Sequence, residues 1–117
     1  YFKIRFLTGS FDSAVAAFFI SHLDNEGAGV FFHKLRGSLR PGAAFLWIDG
    51  AWSQERAKYR EKDGIQLRRL EDGREFSIYK KYFTVDEACA VLDAQEFEIN
   101  STYAGSVFFA VWARSRI

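Results

Sequence analysis

Two apolar segments in the first half of the chain have the pattern of strands covered on both faces. Residues 11–20 are a predominantly apolar run, too long for a strand with one face in water, and residues 43–48 form a second run. Residues 1–7 alternate apolar and basic side chains, as is typical of a half-exposed strand. The pattern therefore predicts three strands here, two of them buried in a parallel sheet.

Apolar residues at helical spacing predict helices at residues 24–38 and 84–95, and residues 51–62 between them are predicted to form a mainly polar helix. The first is expected to end at Arg40-Pro41-Gly42, because proline cannot continue a helix. The helix at 84–95 opens with Thr84 and Glu87, whose spacing is that of a capping box, in which each side chain accepts the other residue's backbone N–H.

The remaining segments are expected to be extended, at residues 65–70, 75–83, 97–103 and 107–113. The last two are predicted to form a closing antiparallel hairpin. Residues 51–83 are predicted to form a lid-like insertion. Two buried strands separated by a helix imply a right-handed parallel crossover. The pattern as a whole predicts one α/β domain, 1–117, with a partial Rossmann-like mixed sheet in which parallel strands precede the antiparallel hairpin.

Composition narrows the function. Hydrophobic residues are 49% of the chain and include 13 Phe, which excludes a disordered chain. The net charge of +1, with a mixed rather than polybasic run at 56–74, gives no reason to expect nucleic acid as a partner. No 18-residue apolar run or secretory leader is seen, so no membrane partner is expected. The single cysteine, Cys89, points to a reducing, cytoplasmic setting and is expected to be a small core side chain.

Polar residues follow both buried strands. Ser21 and His22 come after the first, and Asp49 and Trp52 after the second. The carboxyl ends of neighbouring parallel strands share one edge of a sheet, where ligands bind in such folds. Histidine can accept a proton near neutral pH, so His22 could be a catalytic base; alternatively it caps a helix or bonds a backbone carbonyl. Asp49 could bind a ligand or cap the next helix.

Other candidates are weaker. Arg68, Arg69 and Arg74 flank a tight turn and could clamp an anionic group, or could form exposed ion pairs with Glu71 and Asp72. Two distant histidines and one cysteine do not make a metal site by spacing. Neither glycine-rich phosphate-binding motif, G-x-G-x-x-G or G-x-x-x-x-G-K-[ST], occurs in the sequence.

Four segments together resemble a known family. They are FDSAVAAFFISHL, SLRPGAAFLWIDG, RRLEDGREFSIYKKYFTVDEACAVL and the pair FEI…YAGSVFFAVWARS. In this order they resemble the carboxyl-terminal half of class I S-adenosylmethionine-dependent methyltransferases, over residues 11–114. The family's first strand and glycine-rich cofactor loop have no counterpart in the sequence.

The resemblance implies S-adenosylmethionine as cofactor and assigns roles to several residues. Phe19, Ile20 and Ser21 would line the methionine side of the cofactor, and His22 would face the methyl acceptor. The acceptor pocket, for a small molecule methylated at oxygen or nitrogen, would be shaped or covered by Asp49, Trp52 and residues 68–80, among them Arg68, Arg69, Arg74 and Lys80.

Three interpretations remain open on these grounds. The first is an enzyme portion, weakly active or inactive as an isolated chain; the second is a non-catalytic binding or oligomerisation module derived from the same fold; the third is a fragment with no activity of its own. In each case the first buried strand would lack one neighbour, and an unpaired strand edge invites pairing with another chain. We therefore expect a homo-oligomer, or association with the missing amino-terminal half.

Overall fold

The computed structural model describes residues 11–116, so the strand predicted over residues 1–7 lies outside the described part. The strands are β1 (Phe11–Ala17), β2 (Leu39–Gly50), β3 (Asp63–Arg69), β4 (Glu75–Lys81), β5 (Phe97–Ala104) and β6 (Phe108–Ser115). The helices are α1 (Asn25–Ser38), α2 (Gln54–Ala57) and α3 (Val85–Ala94), with a 3₁₀ turn at Ile20–His22. Within these residues no helix is long and apolar enough to cross a bilayer.

Four strands form one mixed sheet in the order β1-β2-β6-β5, and β3 and β4 form a separate antiparallel pair. β1 and β2 run parallel, joined through α1, whereas β6 is antiparallel to both of its neighbours. The predicted α/β class, the parallel crossover and the closing hairpin are confirmed. The pairing of Ala17 with Ile48 brings the ends of β1 and β2 together at one edge.

The first apolar run is shorter and more exposed as a strand than predicted. β1 ends at Ala17, because Phe18 takes a left-handed conformation (φ 55°) and the chain then enters the 3₁₀ turn. Ala16 is the one buried residue of β1, while Val15 is 66% exposed. The prediction of a strand over 11–20 covered on both faces is wrong, since β1 ends at Ala17 and only Ala16 of its seven residues is buried.

Two further segments differ from the prediction. α1 ends at Ser38, as predicted, but β2 begins at Leu39 rather than at residue 43, so Arg40-Pro41-Gly42 lies within a strand. The β1–β2 register shifts at this place, which accommodates a proline without an N–H and Gly42 at a φ of 78°. The predicted helix at 51–62 is reduced to the four residues of α2, after which the chain turns into β3.

Aromatic side chains fill the core between the sheet and the helices. Phe32 of α1 is fully buried and makes edge-to-face contacts with Phe45, Trp47 and Phe97, at ring-centroid distances of 6.2–6.3 Å. Edge-to-face pairs are the favoured arrangement for such rings. α1 and α3 both pack into this cluster, so the interior is densely aromatic.

The third helix is built as its sequence predicts. Thr84 Oγ1 accepts the N–H of Glu87 at 3.1 Å, and Glu87 Oε1 accepts the N–H of Thr84 at 2.9 Å. Ala88 and Leu92 lie on the inner face, fully buried. The helix therefore fixes the chain between β4 and β5, which holds one end of the β3–β4 hairpin in place.

Candidate functional site

Asp49 lies at the end of β2 and is completely buried. Its Oδ2 accepts the backbone N–H of Ser21 and the indole N–H of Trp47, both at 3.1 Å, and its Oδ1 accepts the N–H of Gly50 at 3.0 Å. The bond to Ser21 ties the segment after β1 to the end of β2. Asp49 thus joins the two parallel strands at the edge where the sequence places the candidate residues.

Lys80 of β4 supplies the positive charge for this carboxylate. Its Nζ lies 3.5 Å from Asp49 Oδ1 and donates to Ser21 Oγ at 2.7 Å. The residue is only 7% exposed, so the charges of Lys80 and Asp49 are both removed from water. Buried charges in proteins need such pairing, because an unpaired one is strongly unfavourable. Lys80, Ser21 and Asp49 are called the tip cluster below.

The alternative that Asp49 caps the following helix is wrong. The N–H of Ala51 donates to Val107 O at 2.9 Å, and that of Trp52 donates to Phe83 O at 2.8 Å. Ser53 caps α2 instead, by accepting the N–H of Arg56. Both oxygens of Asp49 are engaged inside the protein, and this arrangement favours a role in fixing the strand ends.

His22 is exposed beside the tip cluster, and Nδ1 lies 2.9 Å from the carbonyl oxygen of Tyr79. A carbonyl can only accept, so Nδ1 must carry the hydrogen and Nε2 keeps its lone pair in the neutral ring. The contact with the carbonyl of Tyr79 agrees with the alternative that His22 bonds a backbone carbonyl. It is also compatible with His22 as a catalytic base, since Nε2 is the atom that would accept a proton.

Trp52 and Tyr82 form an aromatic wall next to the tip cluster, with ring centroids 6.3 Å apart. The Arg56 guanidinium lies 4.4 Å from the Tyr82 ring centroid and Lys80 Nζ lies 5.2 Å from it. Burial raises the pKa of Tyr82, but the hydrogen bond from Gln66 and the charge of Arg56 outweigh it, so the pKa is lowered. Arg56 and Tyr82 were not predicted from the sequence, because no local pattern of residues indicates that two cations will pack against one aromatic ring.

The structure separates Phe19 from Ile20. Ile20 is buried and lines a cleft of about 220 Å³ between α1 and α3, together with Leu23 and Phe32. Phe19 lines a second, more open groove of about 390 Å³ along β1. The two side chains therefore face different hollows, and Ser21 behind them is fully buried.

The three arginines lie away from the tip cluster, near the turn of the β3–β4 hairpin. Arg68 pairs with Phe76 across the hairpin, whereas Lys80 pairs with Gly64, which lies four residues before Arg68 in β3. Four residues of strand span about 13 Å. Arg69 and Arg74 form exposed ion pairs, with Glu75 at 3.3 Å and Asp72 at 2.7 Å.

No group of metal-ligating side chains is found among residues 11–116. His33 is exposed on α1, and Cys89 is half-buried on α3. Burial and the nearby charge of Asp86 raise the pKa of the Cys89 thiol, which makes it a poor nucleophile. The candidates for chemistry at this edge are therefore His22 and the tip cluster.

No family model and no curated protein matches the chain. Solved structures do match. A SAM-dependent methyltransferase from Methanosarcina mazei is 20% identical with a TM-score of 0.77, over 97% of this chain and 63% of that one. A complex of DhpI with SAM and HEP is 21% identical with a TM-score of 0.74, over 90% and 50%. The glycopeptide N-methyltransferase MtfA, complexed with S-adenosyl-L-methionine, is 16% identical with a TM-score of 0.66, over 93% and 55%.

The described residues therefore have the fold of S-adenosylmethionine-dependent methyltransferases, as the resemblance of the four segments implied. The chain spans about 50% to 63% of the length of these solved chains. At identities of 16% to 21% the likeness is one of fold. The function has to be argued from the site.

Proposed function

We propose that this chain forms the acceptor side of an S-adenosylmethionine-dependent methyltransferase that acts on oxygen or nitrogen of a small molecule. The observation that carries the proposal is the built edge at the ends of β1 and β2. There a buried carboxylate and a buried ammonium fix the strand ends, and His22 stands exposed with Nε2 available. Open α/β sheets bind their ligands at this edge.

The described residues fit the apolar and acceptor sides of the cofactor site. S-adenosylmethionine, when bound, supplies an activated methyl group, so the protein has mainly to align the acceptor and exclude water. Because the two side chains face different hollows, we propose that Phe19 lines the methionine side and that Ile20 supports it from the core. Ser21 is fully buried, so we propose that it supports their backbone from behind.

In this proposal His22 handles the proton. An acceptor hydroxyl or amine loses a proton as it is methylated, and Nε2 of His22 would receive it. Trp52 and the β3–β4 hairpin would cover the acceptor, with Asp49 and Lys80 holding the hairpin on the strand ends. Arg68, Arg69 and Arg74 would serve only an acceptor long enough to reach the hairpin turn.

Two measurements test the proposal. Calorimetric titration of S-adenosylmethionine into the chain should give a dissociation constant on the order of micromolar; no binding would favour the non-catalytic module. In an active preparation, His22→Ala should lower turnover about 10²–10⁴-fold. His33→Ala is the matched control, because His33 is the other histidine of the sequence and is exposed on α1. Unchanged turnover in His22→Ala would remove the proposed base.

We also propose that the chain works in an assembly, with itself or with a further part of the methyltransferase fold, and that it does so in the cytoplasm. Val15 is 66% exposed on β1, and the groove beside it is lined by Ala14, Phe31 and Leu35. Trp112 is 44% exposed on the sheet face away from the helices. Without a second chain, weak or absent catalysis is expected. Sedimentation of the chain should give a mass above that of one copy, and a monomer at all concentrations would contradict self-association.

A further inference from the structure

Two consecutive residues of β4 contact two consecutive residues of the 3₁₀ turn. The carbonyl of Tyr79 accepts from His22 Nδ1 at 2.9 Å, and the Nζ of Lys80 donates to Ser21 Oγ at 2.7 Å. The first contact is at the surface and the second is buried. Because the two residues are adjacent in each segment, the position of one contact fixes the position of the other.

The buried contact is the stronger constraint of the two. Lys80 is held by the hydroxyl of Ser21 and by the carboxylate of Asp49, and its ammonium cannot leave these acceptors for water without opening the cluster. Asp49, the second of these two partners of Lys80, is itself held by three N–H donors. The backbone of β4 at this point is therefore anchored to the strand ends through the side chain of Lys80.

The imidazole has no such anchor of its own. Its ring is exposed, and among residues 11–116 its one hydrogen-bond partner is the carbonyl of Tyr79. A single surface hydrogen bond contributes little by itself, because water competes for both groups. Which ring nitrogen of His22 carries the hydrogen therefore depends on how firmly β4 holds the carbonyl of Tyr79 at 2.9 Å from Nδ1.

We propose that Lys80 is a positioning residue for His22. Its bond to Ser21 and its charge pair with Asp49 place the carbonyl of Tyr79 against Nδ1, so that neutral His22 is held as the Nδ1–H tautomer with its lone pair on Nε2. That this prepares a base for methyl transfer rests on the proposed function. The control of the tautomer does not.

Nitrogen chemical shifts of the imidazole rings test this directly, because a protonated and an unprotonated ring nitrogen differ widely in shift. The spectra are recorded on the chain at about pH 9, above the ordinary titration range of histidine. The sequence has two histidines, and His33, exposed on α1, is an internal reference in every sample. We expect His22 to be almost entirely Nδ1–H and His33 to show the mixture of a free imidazole.

Lys80→Met should move the shifts of His22 to those of His33. Because this variant leaves the carboxylate of Asp49 without its cation, Ser21→Ala is the second variant; it removes the short bond, keeps the charge pair, and should move His22 part of the way. Tyr79→Phe is the matched control, since it keeps the carbonyl and removes only the phenol, and His22 should stay unchanged.

A wild-type His22 that resembles His33 would overturn the proposal, as would wild-type shifts in Ser21→Ala together with wild-type shifts in a folded Lys80→Met. If Lys80→Met does not fold, as shown by circular dichroism, Ser21→Ala decides alone. Binding of S-adenosylmethionine is measured separately. If the variants lose the Nδ1–H tautomer but the chain does not bind S-adenosylmethionine, the positioning role stands and the proposed function is removed. If the chain binds S-adenosylmethionine but the variants keep the tautomer, the proposed function stands and the positioning role is removed.

Discussion

Asp49→Ala tests whether the tip cluster is as important for stability as its burial indicates. The substitution leaves the ammonium of Lys80 buried without its counter-charge, although its bond to Ser21 Oγ remains, and it removes the acceptor for Ser21 N–H and the indole of Trp47. Breaking a buried ion pair by removing one partner destabilises a protein by about 3–5 kcal/mol. Since domains of this kind have total stabilities of about 5–15 kcal/mol, the variant should be close to unfolding or unfolded.

Asp12→Ala is the matched control. Asp12 pairs with Arg40 at 2.9 Å, shorter than the 3.5 Å between Lys80 and Asp49, but the two side chains are 78% and 60% exposed. If distance governed the effect, Asp12→Ala would be the more harmful substitution. Because solvent screens exposed pairs, we expect it to lower stability by less than about 1 kcal/mol.

The assay is equilibrium unfolding in urea, followed by circular dichroism and by the fluorescence of the tryptophans. A stability change appears as a shift of the midpoint at constant slope. Asp49→Ala should lower the midpoint several times more than Asp12→Ala, or abolish the folded baseline. Equal small shifts for the two variants would refute the reasoning that burial, rather than pair distance, determines the contribution of these charges.

Three further predictions use the same unfolding assay. Thr84→Ala should lower stability by about 1 kcal/mol through loss of the helix cap, whereas Thr84→Ser should retain most of it. Phe32→Ala should lower stability by about 3–5 kcal/mol, because the ring is fully buried and makes edge-to-face contacts with four other aromatic rings. Burial, the hydrogen bond to Asp63 and the charge of Asp63 raise the pKa of Tyr79 from 10.0 to about 12. The stability that its neutral phenol contributes should be complete below pH 10.0 and lost as pH rises through about 12, and Tyr79→Phe should abolish this alkaline step in urea midpoints and in tyrosinate absorbance.

Elements with local signals could be predicted from the sequence. Asp24 caps α1 by accepting the N–H of Gly27 at 2.7 Å, and the Thr84–Glu87 pair opens α3. The closing hairpin and the parallel pairing of β1 with β2 follow from period and connection length. These features involve residues close together in the chain, or a rule of handedness that leaves one choice.

The tip cluster could not be predicted in the same way. Ser21, Asp49 and Lys80 were each singled out, but the sequence contains no signal that joins Lys80 to the other two. The contact depends on how the β3–β4 hairpin is placed against the main sheet. The alternation of side chains along the two strands shows which residues share a face of the hairpin, but it does not show against which part of the main sheet that face packs. The left-handed residue that ends β1 was missed as well, because Phe18 lies in an apolar run where no glycine or asparagine marks a turn.

The presence of a charged pair at this place is itself informative. Buried ion pairs are often no more stabilising than well-packed apolar residues of similar volume, so stability alone does not explain why Asp49 and Lys80 are found here. An apolar contact would let β4 slide over the strand ends, whereas an ammonium between a carboxylate and a hydroxyl permits only one position. That position sets the carbonyl of Tyr79 against His22. The tip cluster thus gives the hairpin a single register over the candidate site, which the proposed methyl transfer would require for alignment of an acceptor.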